Sequence, residues 1–233
     1  VFAGGWITSA QNTIDYITIA TTGNATNFGT LVTARQSVGA CSNGIRGVFG
    51  GGSTATKTSA IDYITIATTG NATSFGTLTV ARTSLASCAN STRGIFAGGD
   101  LQGAYSDVID YITIDTTGNA TNFGTLTVSR GWINGCSDTT RGVFAGGYAG
   151  SFSNVIDYIT IATTGNATYF GDLSSTNHDL GACSNGTRGV FAGGSNGTRF
   201  NKIEYIVIQT LGNAVNFGTL TVAKSNFGAC SGT

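Results

Sequence analysis

Val143-Phe144-Ala145-Gly146-Gly147, followed after a short loop by Ile156-Asp157-Tyr158-Ile159-Thr160-Ile161-Ala162-Thr163-Thr164-Gly165-Asn166-Ala167-Thr168, is one of five copies of the same text. The copies open at Val1, Val48, Ile95, Val143 and Val190, which divides the chain into repeats 1–47, 48–94, 95–142, 143–189 and 190–233. One period carries four apolar stretches: Gly131 to Ser137, Val143 to Gly147, Val155 to Ala162 and Ala167 to Leu173. Between them lie Asp138-Thr139-Thr140-Arg141-Gly142, a variable loop, and Thr163-Thr164-Gly165-Asn166. Glycine and asparagine in such links supply the positive φ that hairpins need. Short strands at this spacing predict an all-β repeat fold.

In Ile156-Asp157-Tyr158-Ile159-Thr160-Ile161 large apolar residues fall on both alternating faces, so both faces of the sheet must be covered. A four-stranded module of this length, covered on each side by its neighbours, is a blade of a β-propeller. A solenoid would need atypical capping repeats, and neither the first nor the last copy is atypical. The expectation is therefore one domain, 1–233, folded as a five-bladed β-propeller of four-stranded blades. Its ends suggest how it closes: Asn226 to Ser231 reads as the innermost strand of a blade whose other three strands come from residues 1 to 31. Opening inside a repeat and without Met also suggests a mature product, a fragment or a domain of something longer.

Charged residues are 9% of the chain, glycine numbers 36, and proline and methionine are absent, which excludes helical bundles and solvated disorder. A formal net charge of zero gives no electrostatic footprint for nucleic acid. No apolar run approaches the roughly 20 residues of a membrane span, so no membrane insertion is expected. The five cysteines, Cys41, Cys88, Cys136, Cys183 and Cys230, occupy one equivalent place per repeat without a CxxC partner. They read as small buried hydrophobes, not as metal ligands.

Taken together, the Ala-Cys-Ser strand, the Gly-Val-Phe-Ala-Gly-Gly strand, the Ile-Asp-Tyr strand and Asn-Phe-Gly-Thr-Leu-Thr-Val-Ala-Arg resemble kelch repeats, whose mark is a glycine doublet ending the second strand before spaced aromatics. The resemblance spans the whole chain and implies a propeller. It departs at Phe28, Phe75, Phe123, Phe170 and Phe217, which stand where that family usually has Trp. The unit Ile-Asp-Tyr-Ile-Thr-Ile-Ala-Thr-Thr-Gly-Asn-Ala-Thr-Asn-Phe-Gly-Thr-Leu-Thr-Val-Ala-Arg also resembles tandem repeats in structural proteins of tailed bacteriophages. That likeness implies a virion surface or extracellular setting, with other virion proteins or a surface glycan or protein receptor as partners.

The five copies differ from one another in two segments. Between the glycine doublet and the Ile-Asp/Glu-Tyr strand they read WITSAQNT, STATKTSA, DLQGAYSDV, YAGSFSNV and SNGTRFNK; after the last strand they read ARQS, ARTS, SRGW, TNHD and AKSN. In an up-and-down blade both segments emerge on one side, so one face is diversified and the other nearly five-fold. Loops on a rigid scaffold are where binding residues concentrate. The candidate ligand-binding residues are therefore Trp6, Tyr105, Trp132, Tyr148, Phe152, His178, Arg199 and Phe200, rings beside hydrogen-bonding groups that suit a sugar or a protein epitope.

Other recurring residues read as framework. Asp15, Asp62, Asp110, Asp157 and Glu204 recur, as do Arg35, Arg82, Arg130 and Lys224, and Arg46, Arg93, Arg141 and Arg188; in so uncharged a chain this predicts structural pairing. The Asn-Ala-Thr sequons read as turn followed by strand. His178 is the only histidine, which removes triad and multi-histidine metal schemes. No catalytic or cofactor constellation is present. The expected role is a non-catalytic structural or recognition module, a phage virion appendage attaching through its variable face, with a soluble carbohydrate-binding lectin as the alternative.

Overall fold

The tight links of each period are built by an asparagine or aspartate that caps its own turn. Asn43 Oδ1 accepts from the backbone N–H of Ile45 and Arg46 at 3.1 and 2.9 Å, and Asp138 Oδ1 does the same for Thr140 and Arg141. In the computed structural model, which describes residues 1–230, these turns generate five antiparallel meanders and no helix. The first holds β1 (Phe2–Ala3), β2 (Thr13–Tyr16) and β3 (Thr26–Thr30). The second holds β4 (Gly39–Ser42), β5 (Arg46–Gly50), β6 (Ala60–Thr65) and β7 (Thr73–Thr77). The third holds β8 (Ala86–Ala89), β9 (Arg93–Ala97), β10 (Val108–Thr113) and β11 (Thr121–Thr125). The fourth holds β12 (Asn134–Ser137), β13 (Arg141–Ala145), β14 (Val155–Thr160) and β15 (Thr168–Asp172), and the fifth β16 (Gly181–Ser184), β17 (Arg188–Ala192), β18 (Lys202–Val207) and β19 (Val215–Thr219). The meanders are the five blades of a β-propeller, with β4, β8, β12 and β16 innermost and in contact with one another.

Apolar residues on both faces of a strand serve two different neighbours. From blade three, Ile95, Ile109, Phe123 and Leu126 meet Phe144, Ile159 and Ile161 of blade four, while Ile112 and Ile114 turn the other way into the core shared with blade two. A bulge sets this geometry: Ile156 pairs with Gly171 and Asp157 with Tyr169, so Phe170 is the extra residue. The same shift recurs at the other four copies. An isolated hairpin is marginal in water. Full burial of each large apolar side chain contributes about 1.5–3 kcal/mol, so the seams between blades hold the molecule together.

Polar groups stitch the same seams. Gly165 N donates to Phe123 O and Ala167 N to Thr125 O, each at 2.8 Å, while Thr125 N donates to Asn166 Oδ1 at 3.1 Å. The turn asparagine is thus an inter-blade acceptor as well as a turn former. A Cβ on Gly124 would stand 2.2 Å from Gly165 O, so only glycine fits at this rim. Arg35, Arg82 and Arg130 are fully buried and pair with Asp62, Asp110 and Asp157 of the next blade at 2.9, 3.0 and 3.0 Å. The other arginine series pairs differently: Arg46, Arg93, Arg141 and Arg188 lie over the rings of Tyr63, Tyr111, Tyr158 and Tyr205 at 4.6, 4.5, 4.6 and 4.5 Å.

Two expectations are corrected. The glycine doublet leaves the strand: Gly146 and Gly147 have φ of 69° and 108°, and the strand ends at Ala145. The join between the chain ends is also not formed among the described residues. β1 pairs only with β2, leaving the first sheet with three strands. The stretch 226–230, expected as that sheet's innermost strand, keeps the contacts that the other innermost strands make to the preceding blade, with Asn226 N donating to Asp179 O at 2.8 Å and Phe227 against Gly181 and Gly193, and lacks the ladder to β1. Ser231, the last residue of the expected strand, lies outside the described residues.

The cysteines pack in the seams. The Sγ atoms of Cys41, Cys88 and Cys136 occupy the space a side chain would need at Gly94, Gly142 and Gly189 of the next blade. Burial pushes the thiols of Cys41 and Cys136 up to about 12, which keeps them protonated and unreactive at neutral pH. Cys230 is exposed.

Candidate functional site

On the diversified side the loops extend the inner hairpins by single bridges, Gly131 to Tyr148 and His178 to Ser195 among them, and this fixes where their side chains stand. Tyr105 comes from blade three, Trp132 from the link into blade four, Tyr148 and Phe152 from blade four, and His178 from the link into blade five. Their rings form one continuous cluster. Tyr105 lies 5.8 Å from Trp132 and 5.6 Å from Tyr148; Trp132 lies 6.1 Å from Tyr148 and 6.4 Å from His178. Tyr148 meets Phe152 edge-on at 5.3 Å, and Phe152 stacks on His178 at 5.1 Å with the planes 4° apart. Geometries of this kind add about 0.5–1.5 kcal/mol per pair beyond burial, so the cluster is pre-organised.

Beside it, on the axis, is a depression of about 160 Å³ lined in part by Ser37, Ser84, Trp132, Asp179 and Asn226. These are the fourth residues of the five variable quartets that follow the last strands. All five adopt the left-handed backbone, with φ of 52°, 54°, 52°, 54° and 57°. A ladder imposes it: Ser84 N donates to Ser37 O, Trp132 N to Ser84 O, Asp179 N to Trp132 O and Asn226 N to Asp179 O, at 3.1, 2.9, 3.2 and 2.8 Å. Tryptophan is an outlier in this conformation, and such strain concentrates at binding sites.

His178 Nδ1 lies 2.9 Å from Asp179 Oδ2, a pair of opposite charges when the imidazole is protonated, and about a fifth to a quarter of each side chain is exposed. Burial holds the Asp179 carboxyl above the usual carboxylate range, with His178 pulling the other way. Burial also raises the Tyr105 phenol, as do Tyr148 and Asp100 nearby. The cluster offers flat apolar faces, a tyrosine hydroxyl and an imidazole, and Trp132 and the Asp179 carboxylate connect it to the depression beside it. Among the described residues no group of three His, Cys, Asp or Glu side chains could hold a metal ion.

Of the eight residues singled out from the sequence, five converge here: Tyr105, Trp132, Tyr148, Phe152 and His178. Trp6 stands on the loop of the first blade, 58% exposed and with no ring neighbour among the described residues. Arg199 is exposed beside Ser195. Phe200 turns inward, lining a small cavity between blades four and five with Leu173, Phe191, Asn177, Lys202 and Glu204. Its counterpart in blade three, Ser106, is buried, while Phe200 itself is half-buried. Sequence reasoning did not single out Ser37, Ser84, Asp179 and Asn226; the available signal was their place at the end of a variable quartet. No known protein family and no curated protein matches the chain.

Proposed function

We propose that this protein is a non-catalytic recognition module that binds a surface glycan or protein receptor through the Tyr105–Trp132–Tyr148–Phe152–His178 cluster and the axial depression beside it. The observation that carries this reading is the clustering of five rings from two successive repeats on the diversified face, with Trp132 shared between that cluster and the polar, strained depression. Half-buried rings flanked by hydroxyl, imidazole and carboxylate suit the mixed apolar and polar surface of a saccharide. A virion appendage of a tailed phage is the setting in which we place it, on the strength of the repeat's resemblance. The alternative of a multivalent lectin would call for the same ligand residues in every blade, whereas this cluster occurs once.

A glycan array probed with the intact chain and with Trp132→Ala and Tyr148→Ala variants tests the reading. The expected result is binding to a defined glycan that both variants lose while their melting temperatures stay within a few degrees of the parent. Equal binding by parent and variants would place recognition elsewhere.

A further inference from the structure

We propose a second kind of binding site, on the side away from the variable loops: a groove at each of the first three seams that takes one neutral saccharide unit. At the seam between blades three and four the groove encloses about 290 Å³ over a floor of Phe123, Tyr158 and Ile159, and its rim is Thr160, Thr163, Asn166 and Thr168. The seam between blades two and three repeats it at about 290 Å³ with Phe75 and Tyr111 in the floor, and the seam between blades one and two at about 320 Å³ with Phe28 and Tyr63. None of the lining residues is charged. Hydroxyls and an amide around aromatic and aliphatic carbon match the polar edges and apolar face of an uncharged sugar ring. A sugar acid or an amine would find no counter-charge.

The rim groups are free to bind. Asn166 Oδ1 is engaged by Thr125 N at 3.1 Å, which fixes the amide and leaves its N–H2 group without a protein partner among the described residues. Asn71 and Asn119 are held in the same way. Thr160, Thr163 and Thr168 are exposed, and their hydroxyls, like that of Tyr158, make no hydrogen bond among the described residues. Packing therefore does not explain why these positions stay the same while their neighbours change. On the same hairpins, exposed positions outside the groove read Ala67, Asp115 and Ala162, and Ser74, Asn122 and Tyr169. Those on the rim are threonine in all three copies: Thr65, Thr113 and Thr160; Thr68, Thr116 and Thr163; Thr73, Thr121 and Thr168. The seam between blades four and five has Val207 and Val215 at the first and last of these positions, so it lacks two of the hydroxyls. Three sites follow, not four.

NMR titration of the isotope-labelled chain tests this, with the methyl glycosides of glucose, galactose, mannose and N-acetylglucosamine as probes and methyl glucuronide as the charged control. The side-chain amides of Asn71, Asn119 and Asn166 are expected to shift together, with one common Kd, on addition of at least one neutral glycoside and not of the glucuronide. The amide of Asn213, in the seam with the valines, is expected to stay still. Thr160→Val with Thr168→Val copies that seam and is expected to abolish the Asn166 shift alone, whereas Val207→Thr with Val215→Thr is expected to add a shift at Asn213. All four side chains are exposed, so neither pair of substitutions disturbs the core. No shift of the three amides with any neutral glycoside, or an equal shift with the glucuronide, overturns the proposal. So does an Asn166 shift that survives the valine pair, or an Asn213 amide that stays still with the threonine pair. The Trp132 indole N–H reports the variable-face site in the same spectra, so this inference and the proposed function fail independently.

Discussion

Two neighbouring seams, between blades three and four and between blades four and five, share their apolar packing and differ in their polar centre. In the first, Arg130 is fully buried and donates to Phe144 O at 3.2 Å and to Asp157 Oδ2 at 3.0 Å, while Thr127 also donates to the carboxylate. In the second, the arginine is Asn177 and the aspartate is Glu204, which remains buried. Asn177 donates to Gly193 O at 2.7 Å, and its Oδ1 has no partner. Two further departures stand around it. Lys202 stands where blades two to four have Ala60, Val108 and Val155 and reaches the hydroxyls of Ser174 and Ser175 at 2.6 and 3.1 Å, and Phe200 stands where they have Thr58, Ser106 and Ser153; both line the cavity beside Asn177. The comparison teaches that the apolar seam is the constant. The ionic lock at its centre can be exchanged when charge and volume return from neighbouring positions.

The largest way to break this comparison is Arg130→Asn, which leaves Asp157 buried without its cation; the expected loss is about 3–5 kcal/mol in urea unfolding. Adding Ser153→Phe and Val155→Lys to that variant copies the second seam and is expected to recover part of the loss. No recovery would mean that the three departures are independent. A middle-sized effect sharpens the contrast between joined and unjoined faces. Gly124→Ala forces a Cβ against Gly165 O and is expected to cost about 1–3 kcal/mol more than Gly218→Ala, since the two glycines share nearly the same φ, 154° and 156°. Equal losses would show that backbone strain alone sets the cost. The smallest change is Lys202→Val, which removes two hydrogen bonds to serine and is expected to cost about 1 kcal/mol in thermal unfolding.

Much of the fold was legible because the chain states it five times. The recurrence of Ile-Asp-Tyr with apolar residues on both faces implied a sheet covered on both sides, and the rarity of charge made Arg130 and Asp157 candidates for pairing. Where two physical roles share one residue type, the sequence was silent. Asn166 reads as a turn former whether or not its amide reaches the next blade. The left-handed backbone at Ser84 or Trp132 is imposed by a ladder around the axis, not by the residue, so no propensity announces it. Of the site, the aromatic cluster was visible as variability plus ring content. Phe200 met the same criteria and nevertheless lines the cavity in the seam, beside the Asn177 that replaces an arginine. The three-stranded first sheet was not legible, because the text of Asn226 to Ser231 repeats the innermost strand of the other blades whether or not it pairs with β1.

The rim contact between Gly124 and the turn at Gly165 has a consequence for how such a chain can change over generations. Because the fit is backbone against backbone, it carries no side-chain code that distinguishes one repeat from another. A 47-residue unit gained or lost in frame would find the same glycine, the same turn and the same asparagine on either side. Copy number can therefore drift without the boundaries having to be reinvented, while the loops above them diverge freely.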